Sequence, residues 1–348
     1  MRPVIRLGLL AVFVAGLAHV QAGERAGTGE PRRTLGDDEY VAAVSLYVHG
    51  KTEEALATAT NWQAADIAVT ASRVPVIDAR LLVGAALLHV DAAGGLDTDA
   101  ARAHRAAAYV SAMRVAAEDG APLDAALRRD TVLLVTTTLH AVLDTAGVDL
   151  LVDRALSVFP DDPDLLVARG SLAESLVSLG PAALTSDQEE DDMRAAARQA
   201  AADYRRALER RPDHVEARIR LGRTQLQLGR LTAARATLER ARKDAPDGPL
   251  GYFAAMRLGS AYEQLGQLRD AESCYTAALE LFPQAQVPYI ALAHMRHRAG
   301  RMAAARQQVI AMARRAETAI TAPWWVYDYG QLWSLDKRKA ALRERIES

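Results

Sequence analysis

One cysteine, Cys274, stands in a chain of 348 residues. That excludes an intrachain disulfide and any cysteine-built zinc cluster, so packing has to hold the fold. Aromatic residues make up only 5%, and lysine is confined to Lys51, Lys243, Lys337 and Lys339. The formal net charge is −2, which lacks the cationic excess of a nucleic-acid binder. Strand-like alternation of apolar and polar residues is absent from Tyr40 onward. The chain also lacks a GxxxxGK(S/T) phosphate loop, a GxSxG nucleophile elbow, an HExxH zinc helix and a GxGxxG turn. Past the first residues, no apolar run approaches the roughly 20 residues of a membrane-spanning helix.

What is present is alanine, the strongest helix former, which also lets helices approach closely. The fold class this predicts is all-α. At the N-terminus, Arg2 and Arg6 precede the uncharged apolar run Leu7 to Ala18, and Val20 and Ala22 occupy positions −3 and −1 of a signal-peptidase site. Residues 1–22 therefore read as a signal peptide. The chain is expected to be exported, periplasmic or extracellular, with no integral membrane segment after cleavage; an uncleaved anchor is the alternative. Residues 23–38, polar and rich in Gly and Pro, read as a flexible leader.

From there helices come in pairs, punctuated by Gly, Pro and Asp. Over 39–128, Val41 to Val48 pairs with Glu53 to Ala59, and Val76 to Ala93 with Ala100 to Ala117. Over 129–317 the chain repeats itself. The clearest unit carries Leu258-Gly259, Tyr262, Gly266, Ala271, Tyr275, Ala278 and Pro283. The unit before it has Leu221-Gly222, Leu226, Gly229, Ala234, Leu238, Ala241 and Pro246, and the unit after it keeps Tyr289, Leu292-Ala293, Gly300 and Ala305. Small residues mark helix crossings and the proline ends each second helix. An acidic insertion at about 181–193 reads as a flexible loop. Residues 318–348 read as a capping segment, with Trp324, Trp325 and Trp333 as an aromatic plug ahead of a charged helix.

These positions resemble the tetratricopeptide-repeat consensus at sites 7, 8, 11, 15, 20, 24, 27 and 32. The whole is similar to exported bacterial tetratricopeptide proteins that end in a Pro-Trp-Trp tail. The resemblance implies a right-handed superhelical solenoid of antiparallel helix pairs with a C-terminal aromatic capping segment. It also implies a concave groove lined from sites 2, 5, 9, 12 and 13 of each first helix. Those sites hold Glu216, Ile219, Arg223, Leu226 and Gln227; then Phe253, Met256, Ser260, Glu263 and Gln264; then Val287, Ile290, His294, His297 and Arg298. The Lys and Asn that carboxylate-gripping members place at sites 5 and 9 are missing.

The function this implies is a non-catalytic protein-interaction scaffold of the cell envelope, with no cofactor. Its partner would be a protein or peptide with apolar anchors and some acidic character. The expected binding residues are Ile219, Arg223, Phe253, Met256, Ile290, His294, His297 and Arg298. The alternative is an envelope-polymer hydrolase, or another enzyme with its site on the N-terminal helices. His294 and His297 share a helix face, but two imidazoles leave a zinc site short of ligands. The stretch Arg194 to Lys243 holds fourteen Arg and Lys against five Asp and Glu. With few interleaved aromatics, it reads as a solvated helix surface rather than a nucleic-acid site.

Overall fold

The computed structural model describes residues 34–74, 79–94, 98–117, 123–141, 147–177, 187–314 and 335–347. Sixteen α-helices and no strand occur among the described residues, and no helix among them is long and apolar enough to cross a membrane. The signal segment and the tryptophan-rich stretch 323–333 lie outside the described residues. The chain divides into two compact units, residues 1–160 with 329–348, and residues 161–328.

The first unit holds α1 (Asp37–Val48), α2 (Thr52–Ala59), α3 (Ala64–Arg73), α4 (Ala79–Ala93), α5 (Asp99–Ala117), α6 (Ala125–Ala141), α7 (Val148–Val158) and the last helix of the chain, α16 (Leu335–Glu347). Its core gathers Tyr40, Val44, Tyr47, Ile67, Leu87, Leu88, Leu134, Leu342 and Ile346. The leader is shorter than the sequence implied. Leu35 is buried, its N–H donates to Asp66 Oδ2 at 3.1 Å, and Asp37 pairs with Arg73 at 2.9 Å. An apolar side chain just ahead of the first helix docks because the core offers it a place. The division expected at residue 128 falls inside α6, which packs on α4, α5 and α7. The charged helix α16 covers apolar surface as a cap should, but that of the first unit, on α1, α4 and α6.

The second unit runs α8 (Pro163–Val177), α9 (Asp187–Arg210), α10 (Val215–Gln227), α11 (Leu231–Asp244), α12 (Gly248–Gln264), α13 (Leu268–Leu281), α14 (Gln286–Arg298) and α15 (Met302–Ala313). From α8 to α15, each consecutive pair of helices within the unit is packed together. First helices of neighbouring pairs also touch, α8 with α10 and α10 with α12. The result is an all-α solenoid of helix pairs. The expected acidic loop is corrected in part, since residues 187–193 open α9. Carboxylates are favourable at a helix N-terminus, and Glu190 pairs with Arg194 one turn on, at 2.5 Å.

The turns explain the punctuation in the sequence. Gly229, Gly266 and Gly300 each follow a first helix with φ of 69°, 76° and 72°. The next N–H reaches back five residues, from Arg230 to Gln225 O, Gln267 to Tyr262 O and Arg301 to Arg296 O, each at 2.8 Å. This is the Schellman closure, which needs a left-handed residue that glycine supplies without strain. Within the pairs, a Cβ on Gly222 would lie 2.4 Å from Leu238 Cγ, and one on Gly259 would lie 2.5 Å from Tyr275 Cε1. Ala234, Ala241, Ala271 and Ala278 are fully buried at the same crossings.

Candidate functional site

The groove expected from the sequence draws on α10, α12 and α14, and the structure treats these three helices differently. On α10, Ile219 is 0% exposed and Arg223 8%. Ile219 is therefore core rather than an open anchor. Arg223 is held by Glu174 of α8, its Nε 3.3 Å from Oε1. The same carboxylate accepts from Tyr204 Oη of α9 at 2.9 Å and from Arg220 Nη1 at 3.1 Å, while Arg220 Nε donates to Glu216 Oε1 at 2.8 Å. Two arginines and two carboxylates thus form a buried network that fixes α10 against α8 and α9. Burial of such charges is tolerable only when each finds partners of this quality. The repeat spacing puts Glu216 and Arg223 in the groove lining but gives no sign of Glu174 or Arg220. Only the i,i+4 pairing of Glu216 with Arg220 was readable locally.

On α12, Phe253 is 2% exposed and meets the Tyr252 ring edge-on at 5.3 Å. It too is core. Met256 is half-buried, against a cluster of Ala271, Tyr275, Leu292 and Met295. Further along, Gln264 Nε2 donates to Ser260 Oγ at 3.2 Å, and Glu263 is largely covered. Tyr275 Oη donates to Glu263 Oε2 at 2.9 Å. Burial, and then the Glu263 carboxylate beside it, hold the Tyr275 phenol well above its ordinary range.

On α14 the expected face is open. Val287 and Ile290 are exposed, Ile290 at 54%, and His294, His297 and Arg298 are exposed beyond them. His294 Nδ1 lies 3.3 Å from Glu263 Oε1 and Arg298 Nη1 3.5 Å from the same oxygen. Glu263 therefore ties α12 to α14 and orients two of the three basic side chains. The structure brings His294 and Arg298 together on Glu263, with Ile290 and His297 exposed on the same helix and Met256 half-buried on α12. It leaves Ile219, Arg223 and Phe253 inside.

The remaining chemistry is spare. Cys274 is half-buried, and burial pushes its thiol up to about 11, away from the thiolate a nucleophile needs. No group of three or more His, Cys, Asp or Glu side chains that could hold a metal occurs among the described residues. In the first unit, Tyr40 Oη lies 2.9 Å from His89 Nε2, and His89 Nδ1 lies 2.9 Å from His104 Nδ1. Trp62 stacks on Tyr40 at 5.4 Å. Both imidazoles are buried. Burial, then the neighbouring His104, lowers His89 well below its ordinary value, and burial takes His104 to about 4. These are neutral imidazoles packed among aromatic rings.

Residues 194–257 and 252–285 match family models described as tetratricopeptide repeat. None of the curated proteins matches the chain. Among solved structures the chain is similar to a MamA crystal structure, with 16% identity, 52% of this chain and 94% of that chain covered, and a TM-score of 0.41. It is also similar to MamA 41-end from Desulfovibrio magneticus RS-1, with 18% identity, 53% and 98% covered, and a TM-score of 0.40. A third is YrrB, titled a TPR protein with an unusual peptide-binding site, with 14% identity, 54% and 86% covered, and a TM-score of 0.40.

Proposed function

Because residues 194–285 of this chain belong to the tetratricopeptide-repeat family, we propose that it is a protein-interaction scaffold, without catalysis of its own, that holds a peptide segment of another protein. The observation that carries the reading is the open face of α14. Val287 and Ile290 stand exposed one turn apart, followed at helical spacing by His294, His297 and Arg298. A folded surface that leaves Ile290 in water gains when a partner covers it, by about 1.5–3 kcal/mol for a fully buried side chain. The basic residues beyond it select a partner whose apolar anchor is followed by acidic residues. Glu263 of α12 holds two of the basic groups in place. We propose further that the chain is exported and meets this partner in the periplasm or outside the cell, as Arg2, Arg6 and the apolar run to Ala18 suggest.

The rival hydrolase reading would need an acid–base pair open to a polymer. The nearest such cluster on the N-terminal helices is Tyr40–His89–His104, which is buried. Selection of displayed random peptides on the immobilised full chain, followed by surface plasmon resonance, tests the scaffold reading. Enriched peptides are expected to place a large apolar residue ahead of Asp or Glu. Ile290→Asp should weaken them at least about tenfold, the loss expected of a central anchor. Peptides that bind a folded Ile290→Asp, Arg298→Glu variant as well as the natural chain would refute this face.

A further inference from the structure

A second surface, separate from the face on α12 and α14, lies on the first unit beneath α16. Among the described residues this helix comes last in the chain, and it belongs to a compact unit whose other described helices end at Val158. It seats only one face. Leu342 and Ile346, four residues apart, are buried to 1% among side chains of α1, α4 and α6. Leu335, at the start of α16, is partly buried against the same core, and the outer face, with Asp336, Lys337, Glu344 and Glu347, is exposed. At one edge of the seat, Asp91 of α4 receives Lys339 Nζ at 2.9 Å together with the Arg343 guanidinium and the Tyr47 hydroxyl. Arg343 Nε also donates to Tyr47 Oη at 2.8 Å and stands over that ring at 5.4 Å. At the other edge Arg345 reaches Asp124 at 2.7 Å and Asp130 at 2.9 Å. The receptor side is apolar with three acids; the seated side is an apolar pair with three bases.

A thirteen-residue helix of this composition is marginal alone in water, so it is helical because it is docked. Two buried aliphatic side chains and the partly buried Leu335 supply the apolar hold, and the pairs on Asp91, its side chain 6% exposed, select for cations. The arrangement is that of an amphipathic helix laid in a groove, the way separate chains recognise one another. We propose that α16 is an intramolecular ligand. It occupies a helix-binding groove on α1, α4 and α6 which, when vacated, accepts a basic amphipathic helix from a partner protein. That helix carries two aliphatic residues four apart, with cations three residues before and one residue after the first. α16 holds the groove by virtue of its tether, which makes its docking intramolecular. A partner succeeds by matching the same contacts more tightly.

The test uses the full chain and, as probe, a fluorescent synthetic peptide of residues 335–347. In the variant Leu342→Asp with Ile346→Asp, α16 is released, and the peptide should bind at least about tenfold more tightly than to the natural chain, whose groove is occupied. Adding Asp91→Asn to the released variant should weaken the peptide by at least about tenfold, and binding should weaken with salt. In the natural chain, amide exchange in α16 should be much faster than in α4, as expected for a separately opening element. A folded released variant that ignores the peptide overturns the proposal, as does equal binding to the natural chain. Loss of the whole fold on releasing α16, or α16 amides protected as well as those of α4, shows instead that the helix is an integral part of the core, and likewise overturns it.

Discussion

Replacing a mid-helix glycine by alanine ordinarily stabilises a helix by about 1 kcal/mol. At Gly259 the opposite is expected. The new methyl would sit 2.5 Å from the Tyr275 ring, and that ring is pinned through its hydroxyl to Glu263. Gly259→Ala should therefore cost about 1–3 kcal/mol in urea unfolding, the range for overpacking; an unchanged midpoint would mean the ring swings aside freely. Phe253 makes a companion case. As a groove anchor it would lose partner affinity on truncation, but as a core residue it loses the fold. Phe253→Ala is expected to destabilise by about 3–5 kcal/mol, measurable with no partner present. Site 2 of a first helix read the same at Phe253 as at Val287, because local spacing reports which face a residue shares and not what lies across from it. The residues that close over α12 arrive from elsewhere in the chain.

Among the elements, the helix pairs were legible where glycine turns and prolines punctuate them, and the small residues of Leu221 to Ala305 fall at crossings as their spacing implied. Two elements escaped. α3, Ala64–Arg73, has no glycine or proline ahead of it; Pro75, just past its C-cap Val74, marks its end but nothing marks its start. The start of α9 has no apolar periodicity over Asp187–Asp192; it is helical for electrostatic reasons that a search for apolar faces does not weigh. The buried network joining α8, α9 and α10 was equally hidden, since Glu174 stands 46 residues from Arg220. Glu174→Gln should expose what that carboxylate does. It removes the carboxylate shared by two buried guanidinium groups, of which Arg220 keeps Glu216, and a loss of about 3–5 kcal/mol is expected in thermal or urea unfolding. Adding Arg220→Met should return part of it, a coupling that a double-mutant cycle would read directly.

At the level of the whole molecule, acid should undermine the first unit. His89 and His104 are buried and neutral, with folded-state values depressed, His104 to about 4. Below about pH 6.5 the unfolded chain takes up protons that the folded chain refuses. Stability is thus complete above that value, drains as pH falls, and for His104 levels off near pH 4. The loss from His104 alone is on the order of 3 kcal/mol. Thermal melts between pH 7.5 and 4 should show it, and His104→Asn should flatten the slope. A flat profile in the natural chain would mean that water reaches the imidazoles. The groove of the second unit was half legible. The open residues of α14 were read correctly as surface, whereas those of α10 and α12 needed knowledge of distant partners.

The order in which the chain returns to its first unit has a consequence during synthesis. The ribosome releases α1 to α7, then all eight helices of the repeat array, and α16 only after them. For that whole interval the nascent first unit stands without Leu342 and Ile346, its Asp91 lacking Lys339 and Arg343. A chain broken off between α7 and α16 would leave it so permanently. With α16 as the groove's own ligand, the newborn protein passes through a period in which that groove is open to whatever basic helix is near, and the synthesis of α16 brings that period to a close.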